Sequence, residues 1–144
     1  MKKTVLSLSE FFQLDAEING VFNSQTKEPI LRGLLQEKIS LPTKYWLYDL
    51  AKKIVVEKET VNGMRDEMIK KYGIEDEDGN IQIPMYISSE LNPTYIKFTE
   101  EFNTLLEEKR EVEHYEFKIE DFDSVITENN YLAFFKLIGT NNEQ

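Results

Sequence analysis

Residues 44–73 read KYWLYDLAKKIVVEKETVNGMRDEMIKKYG, and the fold turns on this stretch. Leu47, Leu50, Ile54, Val61, Met64 and Met68 recur in alternating steps of three and four, interrupted only at Glu57. That spacing lays one apolar seam along one side of a helix. At 1.5 Å per residue, a helix from about Lys44 to Tyr72 is roughly 40 Å long. Gly73 is a natural stop. Gly63 lies inside the helix, where it costs about 1 kcal/mol relative to alanine, and marks a close approach or a slight bend.

Downstream, Glu75-Asp76-Glu77-Asp78-Gly79-Asn80 precedes Ile81-Gln82-Ile83. Asp78-Gly79 suits a type I′ turn, in which both central residues take positive φ. Asn92 as cap and Pro93 in the first turn open a second helix. Tyr95, Phe98, Phe102, Leu105 and Leu106 give it an apolar stripe, and it is expected to run to about Arg110. A short connection between two such helices makes them antiparallel. His114 to Ile119 then alternates, with Tyr115, Phe117 and Ile119 on one side, as a strand does. Thr127 caps a final apolar helix through Tyr131, Phe134, Phe135 and Ile138, which Gly139 ends.

Upstream, Lys3 to Leu8 alternates weakly and offers a short strand as partner for 114–119. Ser7 and Glu10 have capping-box spacing ahead of Phe11, Phe12, Leu14 and Ile18, predicting a short helix that stops near Gly20. Asn23–Pro29 reads as a polar loop, and Ile30, Leu31, Leu34 and Leu35 as a second short helix. Ser40-Leu41-Pro42-Thr43 breaks the chain before the long helix. The expected fold is α+β and mostly α: an antiparallel hairpin of two long helices with short flanking helices and a small β element. One domain is expected over 1–144. Residues 1–41 supply the N-terminal strand and short helices, 42–112 the hairpin with a tip loop at 74–91, and 113–144 a strand, the C-terminal helix and a polar tail.

Composition narrows the function. The 144 residues carry 27 acids against 17 lysines and arginines, a net charge of −10, and no cysteine. Disulfides and thiolate metal sites are excluded. An acidic field repels nucleic acid and anionic membranes and favours a basic partner. The opening Met1-Lys2-Lys3-Thr4-Val5-Leu6 is interrupted by Ser7, Ser9 and Glu10 before a signal-type apolar core can form, and no run is long enough to span a bilayer.

Catalytic motifs are missing. His114 is the only histidine and has no sequence companion for a metal or a triad. There is no G-x-S-x-G elbow and no glycine-rich phosphate loop. Placing Gly79 at the sixth position of a calcium loop puts Ile74 first and Met85 twelfth, and neither can supply a carboxylate. No catalytic residue, metal or cofactor is expected. The candidates are surfaces. Glu100 to Asp123 holds ten acids, Glu107, Glu108, Glu111 and Glu113 among them. Such a run is either a solvated face or an imitation of phosphate spacing that fits a basic groove. Tyr131, Phe134, Phe135 and Ile138 are apolar nearly all round, so their helix is buried either in its own core or against a partner.

The order of several segments is similar to a known pattern. The run Lys44-Tyr45-Trp46-Leu47-Tyr48-Asp49-Leu50-Ala51-Lys52-Lys53 comes first. Met68-Ile69-Lys70-Lys71-Tyr72-Gly73, Asp76-Glu77-Asp78-Gly79-Asn80, Phe98–Leu106 and Phe117-Lys118-Ile119-Glu120-Asp121-Phe122 follow. Over roughly residues 30–138 this resembles a family of short uncharacterised tailed-bacteriophage proteins. The chain departs from that family in its longer aromatic N-terminal segment (Phe11, Phe12, Phe22) and its extended loop through Pro84-Met85-Tyr86. The resemblance implies a phage origin, a helical hairpin and no enzymatic activity. The expectation is a virion structural or assembly component that binds copies of itself or other phage proteins. It would be made in the host bacterial cytoplasm and could be carried in the virion. The alternative is an acidic inhibitor of a basic host defence or nucleic-acid-binding enzyme. Neither role contacts nucleic acid or membrane directly.

Overall fold

Ser7 ends one element and begins the next. The first strand, β1 (Lys2–Ser7), runs straight into α1 (Leu8–Asn19). Ser7 Oγ accepts from the Glu10 N–H at 3.2 Å, and Glu10 Oε1 accepts from the Ser7 N–H at 2.9 Å, so two orphan donors are satisfied reciprocally. The structure, a computed structural model, describes residues 1–122 and 131–138. Leu8, Phe11, Leu14 and Ile18 form the buried side of α1. The helix stops at Gly20, which takes φ +86°.

Two short strands follow, β2 (Val21–Phe22) and β3 (Pro29–Leu31), paired antiparallel. The expected second helix over Ile30 to Leu35 does not form. Ile30 and Leu31 are in β3, and only Leu34–Gln36 turn, as a single 3-10 turn. Gly33 sets this geometry. A Cβ there would stand 2.4 Å from the Gly20 nitrogen and 2.6 Å from the Ile18 carbonyl oxygen, so the loop lies directly on the end of α1.

The long helix α2 spans Leu41–Tyr72, 32 residues, capped by Ser40 Oγ accepting from the Thr43 N–H. Leu47, Leu50, Ile54 and Val61 are buried as the seam predicts. The seam ends there, with Met64 exposed and Met68 half-buried. Gly63 has no neighbouring atom within 4 Å of a Cβ position, so it marks no close approach. Gly73 closes the helix in extended backbone (φ −84°, ψ 170°). Its missing side chain leaves room for the Ile69 carbonyl and the Ile81 side chain.

Beyond α2 come two small antiparallel hairpins. β4 (Ile74–Glu75) pairs with β5 (Ile81–Gln82), and β6 (Tyr86–Ile87) with β7 (Glu90–Leu91). The type I′ signature is in the second, not the first. Ser88 (φ +52°) and Ser89 (φ +69°) both occupy the left-handed region, whereas Gly79 alone does so at the Asp78-Gly79 turn. In that first turn the Asp76 side chain accepts from the Asp78 and Asn80 N–H groups, each at 2.9 Å.

The helix α3 (Pro93–Leu106) starts where Asn92-Pro93 predicts, but ends before Arg110. The strand β8 is Lys109–His114, earlier than the expected 114–119. It pairs antiparallel with β1, from Lys2 opposite His114 to Ser7 opposite Lys109. This register turns Leu6, Val112 and His114 inward. Tyr115 and Phe117 alternate beyond the strand, and Ile119 begins a 3-10 turn. The last element, α4 (Leu132–Ile138), returns to the core. The expected cap Thr127 and stop Gly139 lie outside the described residues.

Among the described residues the molecule is therefore mixed and mostly helical, with four α-helices and four two-stranded antiparallel pairs. Its core is built by α1, the first half of α2, the β1–β8 ribbon and α4. Phe117, Phe122 and Phe134 sit at one end with centroids 5.2–6.1 Å apart. α3 is less than half as long as α2 and buries no residue, so a pair of long helices is not what makes the core.

Candidate functional site

Burial divides the chain. From Asn62 to Glu111 the only buried residue is Asn92. This stretch comprises the distal part of α2, both small hairpins and α3, and forms an arm on the packed base. Phe98 stacks on Phe102 at 6.0 Å, Phe102, Leu105 and Leu106 rest on the core of the base, and polar contacts tie the remaining parts. Asn92 Oδ1 accepts from the Thr94 N–H, and Asn92 Nδ2 donates to the Pro84 carbonyl at 2.8 Å. Tyr72 Oη donates to Glu101 at 3.1 Å. At the root, Arg110 pairs with Glu57 at 3.0 Å.

The end of the arm is apolar and uncovered. Ile74, Met85, Tyr86 (60% exposed), Ile87 and Leu91 face solvent. Beside them Leu91, Tyr95, Ile96, Thr99 and Glu100 line a shallow groove of about 160 Å³. Two-stranded hairpins of this size do not hold together in water without a surface to pack on. They also leave strand edges unpaired, which suits addition of another chain's strand. A second groove, of about 250 Å³, lies where Phe12, Arg65, Phe102 and Leu106 meet at the root of the arm.

The residues expected to bind a partner fall into two groups. Tyr131 and Phe134 are core residues, 3% and 0% exposed, and Phe135 and Ile138 are half-buried against the same core. The C-terminal helix thus packs its Phe134 side inward, while Leu132 stays 58% exposed. The physical reason lies in Glu17, a buried carboxylate on α1. Its Oε1 accepts from the Phe134 N–H at 2.8 Å and its Oε2 from the Ala133 N–H at 3.1 Å. A carboxylate at a helix N-terminus satisfies orphan donors and complements the helix dipole. Lys136 pairs with Glu10 and Lys2 donates to the Leu137 carbonyl, fixing the rest of α4.

Glu107, Glu108, Glu111 and Glu113 are all exposed. They do not make an unbroken acidic face. Lys109 and Arg110 interrupt them, and Lys3 stands opposite Glu113 across the ribbon. Asp123, the end of the acidic run, lies outside the described residues.

The titratable groups inside the fold serve structure. His114 is fully buried, with Nδ1 2.8 Å from the Tyr115 carbonyl and Nε2 2.8 Å from the Thr4 hydroxyl. A carbonyl only accepts, so Nδ1 carries the proton and Nε2 accepts from Thr4. Burial holds this imidazole below its ordinary value, the Tyr115 carbonyl opposes the shift, and the charges of Lys2 and Lys53 add to it. Among the described residues no three His, Cys, Asp or Glu side chains gather as a metal site would require, and no helix is long and apolar enough to cross a membrane. No protein-family model, curated protein or solved structure matches the chain.

Sequence reasoning passed over Glu17 because no local spacing links it to α4, 116 residues away. The apolar end of the arm did leave a signal, in Met85-Tyr86-Ile87 followed by Ser88-Ser89.

Proposed function

We propose that this protein works without catalysis, through protein–protein contacts, and that it is a structural or assembly component of a tailed-bacteriophage particle. The observation that carries the reading is the arm. Residues 62–108 bury only Asn92, lean on the base through Phe102, Leu105 and Leu106, and carry uncovered apolar side chains at the far end. Burying such a patch against a partner recovers roughly 25 cal/mol per Å² of apolar surface. The long helix acts as the spacer, with α3 running back along its distal half to brace it. The phage origin rests on the ordered segments over residues 30–138. The partners are other phage proteins or further copies of the chain, in the host cytoplasm during assembly and in the virion afterwards.

The test is affinity capture from phage-infected cells with the wild-type chain and with Tyr86→Asp and Leu91→Asp. Both positions are exposed, so the variants keep the fold. The reading expects phage structural proteins to be retained by the wild type at high salt and lost with either variant. A second reading, an acidic inhibitor of a basic host enzyme, is favoured by the exposure of Glu107, Glu108, Glu111 and Glu113. It expects a single basic host protein, released by salt and lost when these four become glutamine.

A further inference from the structure

We draw no further inference here: the strongest candidate, the groove at the root of the arm where Phe12, Arg65, Phe102 and Leu106 meet, carries nothing because nothing in the structure shows what covers it.

Discussion

Glu17 and His114 are polar residues buried in an apolar core, and each is fully engaged. Removing the Glu17 carboxylate strands the Ala133 and Phe134 N–H groups, and leaving buried donors unsatisfied costs about 1–3 kcal/mol. Glu17→Ala should therefore lower the unfolding free energy by about that amount in urea titrations, with Glu17→Gln intermediate because one acceptor survives. His114 makes stability depend on pH. Its folded value lies below the ordinary 6.5. In the window between the two, the unfolded chain binds a proton that the folded chain does not, so stability is full above 6.5 and falls as pH drops through that window. The urea midpoint should be lower at about pH 5.5 than at about pH 7.5, and the part of the loss due to His114 should vanish in His114→Gln. Glu10 acts in the same direction at lower pH. Burial raises its pKa, but the Lys136 and Ser7 hydrogen bonds outweigh this and hold it below 4.5. The glycines differ by what surrounds them. Gly63→Ala meets open space and should stabilise the chain by up to about 1 kcal/mol. Gly33→Ala meets the end of α1 and should destabilise it strongly, both read by thermal unfolding.

Elements were legible where the deciding contact is local. Ser7 with Glu10 and Asn92 with Pro93 each set a helix start within four residues, and both starts follow, whereas the long helix begins at Leu41, inside the expected break at Ser40–Thr43, because Ser40 caps it. Elements set by distant contacts were not. Glu107 to Arg110 is made of good helix formers, and the sequence extends α3 through it. Pairing with β1 overrides that preference and draws Lys109–His114 into a strand. The same pairing explains the shifted strand, since Tyr115, Phe117 and Ile119 alternate as a strand would but lie past the end of β1. At Ser88-Ser89 the backbone takes a type I′ turn with residues that do not favour it. Ser88→Asn with Ser89→Gly should stabilise that hairpin by up to about 1 kcal/mol, seen as slower amide exchange at Tyr86 and Leu91.

The whole molecule is a packed base carrying an arm without a core of its own. Of the residues expected to meet a partner, the C-terminal aromatics turned out to hold the base together, and the acids are exposed but interleaved with lysine and arginine. What the sequence could not reveal is which apolar residues stay uncovered, since that depends on where α3 and the hairpins come to rest. The central claim is that the arm is held weakly until a partner covers it. Hydrogen exchange on the isolated protein tests this directly. The account predicts that residues 62–108 exchange through local opening, well before β1, α1 and the first half of α2, which open only with global unfolding. An arm protected as strongly as the base would contradict it.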